Sequence, residues 1–120
     1  MKGEMQVSKY HAKKTEYKGV VYDSKWEAEK AYELDMLQRA GKIKNLQRQV
    51  RFILQDGFVN NKGEKIRPIS YIADFVYEKD DKKIVMDTKS PATRTAEYRI
   101  KKKLFEYRYK DYIFLECFKH

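Results

Sequence analysis

Two aspartates and a lysine carry the chemistry open to this sequence. Asp74 lies inside the apolar run Tyr71-Ile72-Ala73-Asp74-Phe75-Val76-Tyr77, and Asp87 and Lys89 close a second one, Ile84-Val85-Met86-Asp87-Thr88-Lys89. The polar segment Lys79-Asp80-Asp81-Lys82 between them reads as a tight turn, so the two runs form a hairpin. With Asp80 and Asp81 at its centre and no bulge, Glu78 faces Lys83, Val76 faces Val85 and Asp74 faces Asp87. Directly opposed residues share one side of a sheet, with Cβ atoms about 4.5–5.5 Å apart. The strand period of two adds Lys89 to the side of Asp87. Two carboxylates ~4 Å apart repel by about 4 kcal/mol at an effective dielectric of about 20, and aspartate is a poor strand former. A fold that keeps such a pair among apolar residues offers a cation site, and paired hard oxygens suit Mg²⁺ or Mn²⁺. The plainer reading is an ion pair of Lys89 with the aspartates, or Asp74 as a strand-end cap. Asp-x-Lys alone is a common pattern; its union with an aspartate across a hairpin is more specific.

These residues need elements to hold them. Asp23-Ser24 opens the clearest helix, and Ser24 with Glu27 three residues on has the spacing of a capping box. Good helix formers follow to Ala40, and Gly41 stops the helix. At 100° per residue Glu27 projects close to Ala31 and Leu34, so it points inward. Capping alone explains such a glutamate; it can equally add a third oxygen to a metal site. Short strands are expected at 19–22 and 50–54, the hairpin strands at 71–78 and 83–89, a second helix over 95–109 and a last strand at 112–118. This order predicts one mixed α/β domain over 19–120, a central mixed sheet flanked by helices, preceded by a basic arm at 1–18.

Composition narrows the class. The chain has 120 residues, one domain's worth, with 42% hydrophobic and 38% charged residues. Cys117 is the single cysteine, which excludes an internal disulfide or a cysteine metal cluster. No apolar run approaches the ~20 residues of a membrane span, and the N-terminus lacks a signal-peptide stretch. A cytoplasmic protein is expected. Twenty-seven Lys+Arg against 18 Asp+Glu give a formal charge of +9, which favours a polyanionic partner, since basic side chains displace counterions from phosphates. The second helix is crowded with cations, and its start follows the Asp-x-Lys strand directly. Arg94, Arg99 and Lys102 there, with Lys13 and Lys14 on the arm, are candidate DNA-backbone contacts, which position a substrate without reading bases. For any one of them, an ordinary solvated surface is the simpler account.

The combination resembles the PD-(D/E)xK nuclease superfamily, on Ala73-Asp74, the hairpin, Asp87-Thr88-Lys89 and the inward Glu27. The wider pattern is similar to small phage endonucleases related to archaeal-type Holliday junction resolvases. Its carriers are Ser8-Lys9-Tyr10, Tyr22-Asp23-Ser24-Lys25 with Glu27-Ala28, Tyr71-Ile72-Ala73-Asp74-Phe75, Asp87-x-Lys89, and Tyr98-Arg99 with Lys101-Lys102-Lys103-Leu104-Phe105. Ala73 stands where the superfamily has proline. The resemblance implies a restriction-endonuclease-like fold and metal-dependent hydrolysis of DNA. Asp74 and Asp87 would ligate Mg²⁺, for which Mn²⁺ can substitute, with the Thr88 carbonyl as a further ligand. Glu27 would bind the metal or its water, and Lys89 would orient or help deprotonate the attacking water. Ser24 is a candidate for the active-site serine of some resolvases. A four-way junction cut by a homodimer is the implied substrate and assembly. The alternatives are a related nuclease acting on flap, nicked or single-stranded DNA, and a non-catalytic nucleic-acid-binding module.

Overall fold

A computed structural model describes residues 4–7, 13–22, 24–89 and 93–118. The motif at 8–10, the side chain of Lys13, Asp23 and Ser90-Pro91 lie outside the described residues. The fold is α/β, with a mixed β-sheet and two helices. The chain divides into two compact units, Met1–Leu46 and Gln47–His120.

In the first unit, β1 (Glu4–Val7), β2 (Lys13–Tyr17) and β3 (Val20–Tyr22) form an antiparallel sheet in that order. Where the sequence suggests an irregular arm, the backbone pairs Glu4 with Glu16 and Val7 with Lys13. Lys18 and Gly19, both at positive φ, make the two-residue turn that sets Tyr17 against Val20. Helix α1 (Lys25–Arg39) starts as its capping spacing predicts: Ser24 Oγ accepts from the Glu27 N–H at 3.0 Å. Gly41, at φ 77°, ends it, with Lys42 N–H donating to Leu37 O at 2.9 Å. Its buried face is Glu27, Ala28, Ala31 and Leu34, and it packs on β2 and β3.

The second unit contains the four-stranded sheet β4 (Lys44–Gln55), β7 (Ile69–Lys79), β8 (Lys82–Lys89) and β9 (Tyr112–Phe118), in that order; β4 begins three residues before the unit does. A separate ribbon, β5 (Phe58–Val59) with β6 (Lys65–Ile66), stands between β4 and β7 in the chain. Strands β7 and β8 are antiparallel and β8 and β9 parallel. The parallel pair needs a crossover, supplied by α2 (Ala96–Arg108), with Thr95 as N-cap accepting from Tyr98 N–H. Among the described residues no helix is long and apolar enough to cross a membrane.

Phe52, Leu54, Tyr71, Ala73, Val85, Tyr98 and Phe105 form one core cluster between this sheet and α2. Phe105 is wholly buried, with the rings of Phe52 and Tyr109 both 5.0 Å from its own. Phe105→Ala is expected to cost about 3–5 kcal/mol, read as a shift of the urea midpoint. A loss under 1 kcal/mol would place the core elsewhere.

Strand β4 runs well beyond the 50–54 expected. Its first half is exposed and polar apart from the half-buried Leu46, it lies on an edge strand, and Asn45 and Gln49 take left-handed φ of 57° and 54°. Those two residues break the alternation by which a strand is recognised in sequence.

Candidate functional site

The hairpin follows the count made from its turn. Asp80 and Asp81, at φ 52° and 63°, form a two-residue turn of the primed kind. The ladder then runs Lys79↔Lys82, Glu78↔Lys83, Tyr77↔Ile84, Val76↔Val85 and Phe75↔Met86. Beyond Phe75 the alternation slips. Val76 lies opposite Val85 and packs with it on the α2 side, which puts Phe75 and Tyr77 on the other face. Yet Tyr71, of the same parity as Phe75, is also on the α2 side, its ring 5.9 Å from that of Phe105. One residue of slip therefore lies between Tyr71 and Phe75, the stretch that holds Asp74. A bulge of this kind re-aims a side chain. The Asp74 carboxylate is turned onto β8, where Oδ2 accepts from Thr88 N–H at 2.8 Å and from Thr88 Oγ1 at 2.7 Å.

Asp87 is 2% exposed. Burial and then the charge of Asp74 push its pKa up to about 7, against the partial relief of Lys89. Lys89 Nζ stands 2.9 Å from Asp87 Oδ2 and forms an ion pair with that buried oxygen. The same ammonium lies 4.1 Å from the centre of the Tyr98 ring. The lysine is thus held on two sides, by a carboxylate and by an aromatic face.

A second layer was not expected from the sequence. Asp87 pairs with Glu116 in the parallel β8–β9 register, which puts both carboxylates on the α2 side of the sheet. Tyr98 Oη donates to Glu116 Oε2 at 2.8 Å, and Arg94 Nε lies 3.1 Å from the same oxygen. Burial opposes the Glu116 anion, but the hydrogen bonds from Arg94 and Tyr98 outweigh it and hold the carboxyl below its ordinary range. The Tyr98 hydroxyl is pushed up by burial and by its bond to Glu116. Tyr71 also belongs here: its buried hydroxyl lacks a hydrogen-bond partner, and burial followed by the Asp87 charge raises its pKa. The available signal for Glu116 was the one that found Asp74, an acid inside an apolar strand. Tyr98→Leu, which removes the ring beside Lys89, is expected to lower any activity of this site about tenfold, and Tyr98→Phe, which keeps the ring, less than threefold. Equal losses in kcat would show that the ring does not hold the lysine.

The structure thus brings Asp74, Asp87, Thr88 and Lys89 together. Glu27 belongs to the first unit, where it is 8% exposed in the opening turn of α1. Ser24, the candidate serine, is the cap of that helix. Of the candidate DNA contacts, Arg94 is committed to Glu116, and Lys102 pairs with Glu106 at 3.1 Å and lies over the Phe114 ring. Arg99 and Lys14 are exposed. Among the described residues no group of three or more His, Cys, Asp or Glu is gathered to hold a metal. Two carboxylates side by side, one of them almost wholly buried, still fit Mg²⁺, which keeps several waters and takes phosphate oxygens beside one or two protein ligands.

No curated protein and no solved structure matches the chain. A family model does, across residues 7–119: the chain belongs to the family described as "Protein of unknown function (DUF1064)".

Proposed function

We propose that this protein is a metal-dependent DNA endonuclease that hydrolyses phosphodiester bonds at Asp74, Asp87 and Lys89. The observation that carries the reading is the buried Asp87 carboxylate, set beside Asp74 at a strand irregularity, with Lys89 Nζ at 2.9 Å. A protein that only binds nucleic acid gains nothing from burying a carboxylate whose anion is disfavoured. Asp74 and Asp87 would hold Mg²⁺, with the Thr88 carbonyl as a further ligand. When bound there, the metal supplies charge for the scissile phosphate and a lowered pKa for the attacking water.

Lys89 does the rest of the positioning. Pinned between Asp87 and the Tyr98 ring, its ammonium presents positive charge where the phosphorane oxygens build up negative charge, with no reorganisation needed. Thr88 fixes Asp74 through two hydrogen bonds to one oxygen, which leaves its other oxygen for the metal. The net charge of +9 fits a DNA substrate. Branched DNA, above all a four-way junction, is the substrate on the resemblance, and two symmetrical cuts in one call for a twofold dimer.

The test is cleavage of matched four-way junction, flap, single-stranded and duplex DNA in Mg²⁺ and in EDTA, with sedimentation to give the oligomeric state. Mg²⁺-dependent products are expected, most from the junction. Products from flap or single strands alone would move the substrate within the same chemistry. No product from any of them in Mg²⁺ or Mn²⁺ would leave a binding module.

A further inference from the structure

The ribbon β5–β6 contributes nothing to the core and yet is built with care. Phe58 and Val59 are 49% and 62% exposed. Asn60 knits the tip: its Oδ1 accepts from Lys62 N–H and Glu64 N–H at 2.9 Å each, its Nδ2 donates to Glu64 Oε1 at 3.0 Å, and its N–H donates to Glu64 O. The root is tight as well. A Cβ on Gly57 would meet Ile66 O at 3.0 Å and Pro68 Cδ at 3.2 Å, so the two strands close there only around a glycine. A rigid projection that carries exposed apolar side chains marks a contact surface.

Its charge says what kind of partner fits. Lys62, Lys65 and Arg67 are exposed, and no ion pair engages them among the described residues. They outnumber the two acids of the same segment, Asp56, which pairs with Arg108, and Glu64, whose carboxylate is held by the Asn60 amide. Lys65 shares its face with Val59 and Phe58 shares the other with Ile66, so a single strand laid across the ribbon meets both the cations and the ring, the mixture of phosphate attraction and base stacking by which proteins hold single strands. Duplex DNA hides its base faces in the stack, so an exposed phenylalanine has a partner only where nucleotides are unpaired. The side chain of Asn60 is used up within the loop, which leaves it unable to read base edges.

We infer that the β5–β6 ribbon binds unpaired nucleotides, with Phe58 stacked on a base and Lys62, Lys65 and Arg67 on neighbouring phosphates. The inference rests on the nucleic-acid reading above and adds the substrate feature that the ribbon selects: a strand end, gap or branch point. Contact there is independent of sequence.

The test is binding, not cleavage. The full chain in EDTA is titrated against a labelled 15-nucleotide single strand and the matching duplex, with anisotropy as readout. Phe58→Ala is expected to weaken single-strand binding about tenfold and duplex binding less than twofold, and Phe58→Trp to restore it. Replacing Lys62, Lys65 and Arg67 by alanine is expected to reduce the slope of log K against log salt by about 2 on the single strand. Equal effects of Phe58→Ala on both substrates, or no effect, overturn the inference while the nuclease reading stands. A changed sedimentation coefficient with unchanged DNA affinity makes the ribbon a subunit contact and also overturns it. Wild type that binds no nucleic acid at all overturns both readings.

Discussion

Asp87→Asn is expected to abolish cleavage, at least 10³-fold, while making the metal-free protein more stable at pH 8. The two effects have one cause. Asp87 is 2% exposed beside a second carboxylate, and its pKa is raised by burial and by that neighbour. Between the unfolded value near 4 and about 7 the folded state binds the proton that the unfolded state has lost. Stability therefore falls as pH rises through this window, by at most about 1.4 kcal/mol per pH unit for one proton. Above it the penalty is fully present. Asparagine keeps the shape and removes the charge, so the variant should gain about 1–3 kcal/mol at pH 8, less what Lys89 loses with its partner, and nothing at pH 4. Thermal and urea melts in EDTA at both pH values measure this. A variant less stable than wild type at pH 8 would make the Asp87–Lys89 pair a net stabiliser, and so a structural ion pair. The loss of cleavage follows from removing a metal oxygen that asparagine replaces only as a neutral donor.

The hairpin was legible because its turn is: two aspartates that tolerate left-handed φ set the centre, and counting outward from them fixes the register from Lys79↔Lys82 to Phe75↔Met86. The slip near Asp74 was not, since the mostly apolar run Tyr71-Ile72-Ala73-Asp74-Phe75 shows no alternation whose break could mark it, and only three-dimensional packing shows the change of face. The ends of the first helix were legible through Ser24 and Gly41 because capping is local chemistry. The strands at Glu4–Val7 and Lys13–Tyr17 and the first half of β4 were not, as they are short on apolar residues and backbone pairing leaves no trace in composition. Arg94 shows the same limit at the site. Read as one more cation of a basic helix, it is instead the arginine that holds Glu116, and through Glu116 the tyrosine beside Lys89. Its partner is 22 residues away, and no spacing rule joins them.

Lys89→Met should oppose Asp87→Asn in stability and match it in activity. Methionine keeps the apolar stem against the Tyr98 ring and deletes the ammonium 2.9 Å from Asp87 Oδ2. The buried carboxylate then faces Asp74 with no compensating charge. Breaking a buried pair in this way costs roughly 3–5 kcal/mol, and the lysine, at 16% side-chain exposure, is buried enough for most of that to apply. The loss should shrink at pH 4, where Asp87 is protonated and needs no partner. Cleavage should fall by about 10²–10³-fold, the effect of deleting one preorganised donor at developing charge. Added Mg²⁺ separates the two roles of the lysine. A divalent cation at the carboxylates replaces the missing counter-charge, so millimolar Mg²⁺ should return most of the lost stability at pH 8. It leaves the position of the ammonium empty, so cleavage should stay low. If Mg²⁺ restored both, Lys89 would be a counter-ion alone. If it restored neither, Asp74 and Asp87 would not be a metal site, and the buried pair would need another explanation.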